Sequence, residues 1–517
     1  MSTIQIGIDL GTTNTLVYGN QGGKIKPIKF SGNVTFPSVL YVEEDGTEIV
    51  GKRAKQKEYL DPNNGIHSSK TDMGTKKEWH IRNKIYTPTD VAALILSDVY
   101  KEVKKKYNLT DDDVIQAVIT IPAYFTSNQS DETKKAGERA GFEVLRIITE
   151  PVAAAYNINP QDNGLVCVID LGGGTFDISV VNKQKDKYTV LGIDGDKHLG
   201  GDDFDRKLEE HFLTYIQDDL SIDLSSLDSS GLTYEQYYNM KSKIRKEAVS
   251  CKEELTDSDS ANVLINELFR YGENNEKVYY FDEDISREQF NKICSELYGK
   301  IIEVVKRLVE GSNKFTKADI KHVYLVGGSC YIPKVRQIIE DYFGFPANSE
   351  GGIEEQVAQG AAKIADGYNS PSYSNDGEIV DPFSNFIEDI TSHSMGIKIH
   401  DDKLGDKFSE LIPVGTPYPC SKHDNFTTVY DNQSEVTIEV YEKTNKRASD
   451  AMSGYESNFE LYGSFILSGI ELASKGKPRI LVTFNYDLSR TLCVTAEDSN
   501  TGAKKTVTLK KRRGCAQ

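Results

Sequence analysis

The order of apolar and polar positions divides the chain into two unlike stretches. Up to about Tyr368, short apolar runs such as Gln116–Ile121 and Leu165–Ile169 read as buried strands. They alternate with helical stretches such as Asp131–Ala140, Arg287–Val309 and Pro333–Tyr342, the pattern of an α/β unit. From Asn369 to Asn385 the run NSPSYSNDGEIVDPFSN is rich in Ser, Asn, Asp and Pro, with too little apolar surface to pack. It reads as a linker region, extending over 369–389. Beyond it, Val436–Tyr441, Ile480–Tyr486, Leu492–Ala496 and Thr506–Leu509 are short, β-branched and alternate with period two. They predict an antiparallel β domain over 390–510, with 511–517 left as a basic tail.

Length and composition narrow the function classes. The 517 residues amount to about three domains at roughly 150 residues each. A net charge of −18 argues against general electrostatic binding to nucleic acid or to an anionic membrane surface. The seven cysteines, Cys167, Cys251, Cys294, Cys330, Cys420, Cys493 and Cys515, are far apart and form no C-x-x-C pair. They read as reduced thiols of a cytoplasmic protein, with neither a disulfide frame nor a zinc site. The opening MSTIQIGIDLG has no basic stretch or long apolar run of a signal peptide, and no window offers ~18 uninterrupted apolar residues for a membrane span.

Chemistry enters through a cryptic repeat. Ile6–Thr13 (IGIDLGTT) and Val168–Thr175 (VIDLGGGT) each carry an apolar strand, then Asp-Leu-Gly, then Thr. Glycines let backbone N–H groups approach phosphate oxygens, and threonine hydroxyls add donors. An Asp at the strand end suits a hydrated Mg²⁺, which takes oxygen ligands and keeps several waters. Taken singly, either loop reads equally well as a plain hairpin. Two copies, followed by the third turn Leu325-Val326-Gly327-Gly328-Ser329 before a helix opened by Pro333, point to a nucleotide site.

With these motifs the chain resembles the actin-like ATPases, and specifically the seventy-kilodalton heat-shock chaperones, over nearly its whole length. The resemblance rests on IGIDLGTTN, Val118–Phe125 (VITIPAYF), Val144–Ala155 (VLRIITEPVAAA), Asp170–Asp177 (DLGGGTFD), His198–Asp205 (HLGGDDFD) and Leu325–Pro333 (LVGGSCYIP), in the family's order. Phe426–Ile438 and Gly476–Phe484 look like the family's peptide-binding β domain. The fold implied is α/β: an actin-like two-lobed ATPase domain with a duplicated ribonuclease-H-like core over 1–368, followed by a β-sandwich. The resemblance also implies ATP or ADP with Mg²⁺, accompanied by K⁺. Its implied partners are unfolded or extended polypeptide segments, a J-domain co-chaperone and a nucleotide exchange factor, without nucleic acid or membrane. Only Lys510–Gln517 follow the last strand, so the family's helical lid is expected to be lacking.

Site residues follow by resemblance, position by position. Asp9, Gly11, Thr12, Thr13 and Asn14 belong to the first phosphate loop, and Asp170, Gly172, Gly173, Gly174 and Thr175 to the second. Asp9 and Asp170 would organise the metal through water. Gly200, Gly201, Gly327, Gly328 and Ser329 would complete the nucleotide cradle. Lys70 sits where the family carries its catalytic lysine, and would act with Glu150, Thr175 and Asp177 around the attacking water. A lone lysine is ordinarily a solvated charge; its place in the ordered match carries the reading. Pro122 matches a switch proline, and Arg146 a position that helps receive J-domain partners. In the β domain Ile397, Phe426, Val436 and Ile438 align with the peptide pocket, and His400 and Val429 with its covering arch, although apolar residues there read equally as sandwich core.

Departures cluster on the base side. The family's sugar-binding Glu is Val249, although Lys252 remains beside Glu253, and the Arg expected after the third turn is Tyr331, whose ring can stack on a base or simply pack. The linker's leucine run is replaced by Asn385-Phe386-Ile387-Glu388-Asp389, which predicts weaker docking. The reading that results is an ATP-driven chaperone. Its rivals are a nucleotide-bound holdase or scaffold with little turnover, and a small-molecule kinase of the same superfamily.

Overall fold

In the computed structural model the chain is described over residues 2–158, 163–185, 187–272, 276–349, 352–368, 372–373, 379–380, 387–401, 405–445, 448–452, 455–488 and 490–509. Most of the expected linker, and the basic tail with Cys515, lie outside the described residues. Six-stranded sheets anchor both lobes. The first runs Glu143–Thr149, Val114–Ile121, Thr3–Leu10, Asn14–Asn20, Ile25–Pro27, with Thr35–Pro37 paired to Asn14–Asn20. The second runs Ile320–Val326, Gly164–Leu171, Phe176–Gln184, Lys187–Asp196, Ile387–Ile390, Pro417–Tyr418.

In both sheets an antiparallel hairpin carries a parallel strand on the outer side of its first arm. Val114–Ile121 flanks Thr3–Leu10, and Ile320–Val326 flanks Gly164–Leu171. The internal repeat of the sequence is therefore one structural unit used twice, and each copy ends its first strand on an Asp-Leu pair at the cleft. Helices Glu150–Ile158 and Gln356–Gly367 pack against each other, and the second also lies on the first sheet. They approach closely because Gly360 lacks a side chain: a Cβ there would stand 1.9 Å from the Ala153 carbonyl oxygen.

Helix starts follow side-chain caps. The helix expected at Asp131 begins at Ser127, because Thr126 and Gln129 form a reciprocal capping box. The single helix expected over Arg287–Val309 is two, Arg287–Ile293 and Ser295–Gly311, meeting at the fully buried Cys294. Among the described residues the six cysteines are free thiols. No described helix is long and apolar enough to cross a membrane.

The β-rich stretch folds as a sandwich of two four-stranded sheets. One runs Gly405–Ile412, Ser394–Asp401, Glu435–Lys443, Phe459–Ser468; the other runs Cys420–Phe426, Ile480–Tyr486, Leu492–Asp498, Lys504–Leu509. Their inward residues, among them Ile397, Ile438, Val482, Phe484 and Val494, make its core.

The sandwich is joined to the second lobe by sheet pairing. Ile387–Ile390 lies parallel to Lys187–Asp196 and antiparallel to Pro417–Tyr418, so one sheet passes from lobe to sandwich. Ile387 and Ile390 are buried, each contributing about 1.5–3 kcal/mol. Asp389, buried between the two, accepts hydrogen bonds from Thr149 Oγ1 (3.1 Å) and Tyr418 OH (2.8 Å). The end of the linker region is thus a seated strand, and Phe386 lies outside the described residues.

Candidate functional site

A cavity of about 500 Å³ opens between the lobes, a size suited to a nucleotide. Asp9, Gly11, Thr12, Thr13 and Asn14 line it from one hairpin, and Asp170, Gly172, Gly173 and Thr175 from the other. Both loops are internally braced. Ser38 Oγ donates to the Gly11 carbonyl (2.8 Å), the Gly172 N–H donates to the Thr175 carbonyl (3.0 Å), and Ser329 Oγ donates to the Gly172 carbonyl (2.8 Å).

Two glycines have no substitute here. A Cβ on Gly200 would stand 2.5 Å from the Gly173 carbonyl oxygen, against which the N-terminus of helix Gly201–Leu220 is laid. Gly327 adopts φ 83°, and a Cβ there would stand 2.4 Å from Asp170 Oδ1. Gly174, Gly200 and Asp177 do not line the cavity wall itself; Gly201, Lys252, Gly327, Gly328, Ser329 and Tyr331 do.

The floor is a charge cluster nearly out of water. Lys70, from the turn Ser69–Asp72, places Nζ 2.5 Å from Glu150 Oε1 at the start of helix Glu150–Ile158. Lys70, Glu150, Asp170, Thr175 and Asp177 are all buried. Strand register sets Asp170 opposite Asp177, and Thr120 Oγ1 donates to Asp9 Oδ1 (3.0 Å).

Burial, then the charge of Glu150, push Asp9 and Asp177 up to about 7, and raise Asp170 as well. Burial pulls Lys70 down, but Glu150 and Asp9 outweigh it and hold the ammonium above its ordinary value. One cation among four crowded carboxylates is a donor set short of positive charge, which suits a divalent ion. Among the described residues no three His, Cys, Asp or Glu converge as a direct metal cage.

The opposite end of the cavity is built differently. Val249 and Glu253, from helix Tyr234–Asp257, line it with Tyr331, Ile332 and Glu354. Tyr331 is 48% exposed, so its ring is free to cover a base. Lys252 turns to Asp205 Oδ1 (2.8 Å) and donates to the Gly201 carbonyl (3.2 Å).

The sequence reading missed the groups that bridge the cleft mouth. Ser68 Oγ donates to Asp202 Oδ2 (2.6 Å), and Arg245 reaches the buried Glu58 (3.2 Å), which also faces His67 Nδ1 (3.0 Å). Asp202 lay within the HLGGDDFD motif; Glu58, His67 and Arg245 carry no motif and meet only in the fold.

In the sandwich, Ile397 and Ile438 are buried, with Phe426 and Val436 half-buried against the same cluster. His400 is exposed and faces Asp406 (3.3 Å), and the Val429 N–H donates to Gln433 Oε1 (3.1 Å). Pro122 ends the strand Val114–Ile121 and accepts from the Phe125 N–H (3.2 Å). Arg146, expected to help receive a partner, is buried at 2% exposure, at the point where strand Glu143–Thr149 passes from its exposed start into its buried half.

Comparison with known families agrees with this architecture. The family model described as Hsp70 protein matches residues 5–517, and the chain belongs to the Hsp70 family, whose members are ATPases and chaperones.

Proposed function

We propose that the chain is an ATP-dependent chaperone that binds extended apolar peptide segments under control of ATP hydrolysis. Residues 1–368 would be the nucleotide-binding domain, 369–389 the linker, 390–510 the substrate-binding sandwich and 511–517 a basic tail. The observation that carries this reading is the buried Lys70–Glu150 pair set beside Asp170 and Asp177 beneath two glycine hairpins.

The hairpin amides and the Thr12, Thr13 and Thr175 hydroxyls bind phosphate oxygens, while Gly200 and Gly327 let the neighbouring chain pack closely against the second hairpin. Asp9 and Asp170 would hold Mg²⁺ through its waters, and the ion, when bound, neutralises charge on the phosphate oxygens. Lys70 steadies charge developing on the γ-phosphoryl group, and Glu150 fixes the Lys70 ammonium in place. Asp177 and Thr175 orient the attacking water. Tyr331 covers the base, and Lys252, with Asp205, holds the ribose side.

The peptide site would lie where Phe426 and Val436 rim the sandwich core formed by Ile397 and Ile438, with His400 and Val429 over it. Steady-state ATP turnover of the purified chain, with and without a short apolar peptide, tests the whole reading. Turnover that rises with peptide supports it. Tight ATP binding with no turnover under either condition would favour the holdase reading, which the altered base end at Val249, Glu253 and Tyr331 motivates. Val436→Phe fills the proposed pocket and should abolish peptide binding while leaving basal turnover intact.

A further inference from the structure

The sandwich touches the catalytic floor through a short chain of hydrogen bonds. The turn Pro122–Phe125 is closed by the Phe125 N–H donating to the Pro122 carbonyl (3.2 Å). Inside it, the Tyr124 N–H donates to Asp177 Oδ1 (3.3 Å), and the Phe125 ring lies 6.0 Å beneath Lys70 Nζ. At its far end the Phe125 carbonyl is held by two donors from the sandwich side, Ser392 Oγ (2.8 Å) and Arg490 Nη2 (3.2 Å).

Arg490 is built for that position. It sits between strands Ile480–Tyr486 and Leu492–Asp498 at φ 61°, a backbone conformation arginine rarely adopts. Its side chain is 1% exposed, lies over the Tyr418 ring at 5.9 Å, and also donates to Ser392 Oγ (3.0 Å). Among the described residues its Nη1 has no hydrogen-bond partner. A buried guanidinium is costly to keep in an interface unless its contacts are needed.

We propose that Arg490 is a positioning residue for ATP hydrolysis: by gripping the Phe125 carbonyl it holds the turn Pro122–Phe125, and through the Tyr124 N–H it fixes Asp177. A 3.3 Å bond is long for an amide facing a carboxylate, so it persists only while the turn is held. This inference rests on the reading of the cleft as an ATP-hydrolysing site.

The test uses the full chain and compares Arg490→Ala, Arg490→Lys and Tyr462→Phe. The last removes the Tyr462 OH to Asp131 Oδ2 bond (2.8 Å), which lies in the same interface but does not touch the turn. Single-turnover hydrolysis at saturating ATP should fall about tenfold in Arg490→Ala with ATP affinity unchanged, recover in Arg490→Lys, and hold in Tyr462→Phe. Amide hydrogen exchange at Tyr124, read without nucleotide, should quicken in Arg490→Ala alone. Equal rates and equal exchange in Arg490→Ala would overturn the proposal, as would faster hydrolysis, or a loss in Tyr462→Phe matching that in Arg490→Ala. Absence of ATP binding and hydrolysis in the unsubstituted chain would instead remove the ATPase reading, and the exchange measurement would still decide whether Arg490 holds the turn.

Discussion

The two ends of the proposed nucleotide cavity are made on different terms. At the phosphate end, backbone turns from both lobes meet buried charges, and nearly every group is fixed by a second one: Lys70 by Glu150, Asp9 by Thr120, Gly172 by Ser329. At the base end, Tyr331 is half exposed and Val249 offers no polar atom to a sugar. The difference teaches that phosphate chemistry demands particular geometry and charge, whereas a planar base accepts any broad surface of the right shape. Substitution should therefore be costly at one end and mild at the other.

The largest effect is expected at the floor. Lys70→Ala should lower single-turnover hydrolysis by about 10²–10³ while leaving ATP affinity near its original value, because in the proposed site the loops bind the phosphates. Unchanged hydrolysis would take Lys70 out of the mechanism and erase the contrast between the two ends.

Stability against pH sharpens the same comparison. Asp177 holds its proton to about 7 in the folded chain against an ordinary 3.8. Between those values the folded state binds more protons than the unfolded state, so the stability this group contributes is lost as pH rises from about 4 to about 7. Asp177→Asn removes that loss. The nucleotide-free variant should match the parent near pH 4 and be the more stable of the two at pH 7.5, read from denaturant melts at both values. A variant that is less stable at pH 7.5 would show that the cluster is not starved of positive charge.

A smaller effect is expected from the cradle. In Gly200→Ala the new methyl meets the backbone of the second loop, and ATP should bind about 1–2 kcal/mol more weakly by calorimetry. Undiminished binding would mean that the loop yields easily. The smallest belongs to the base end: Tyr331→Ala should weaken ATP by about 1 kcal/mol, at the low end for base–aromatic stacking, because the ring is half exposed. Tyr331→Phe should be silent in a fluorescent-nucleotide titration. A loss at Tyr331 as large as that at Gly200 would break the proposed asymmetry.

What the sequence determined by itself was local. Alternation specified the strand Ile480–Tyr486 to the residue, and Asp-Leu-Gly followed by Thr at the ends of two strands announced the duplicated hairpin, because period-two burial and glycine turns are written in neighbouring residues. The helix break at Cys294 was not legible at that level, since it depends on a buried packing position, whereas the early start at Ser127 was written in the Thr126–Gln129 capping box and was passed over. Only the tertiary structure decided which distant groups share charge. Lys70 and Glu150 meet as a buried pair, Arg146 is covered, and Arg490 reaches the turn beside Asp177 across the seam between lobe and sandwich. Such pairings arise when whole sheets and helices are laid together, and no short window of sequence holds both partners.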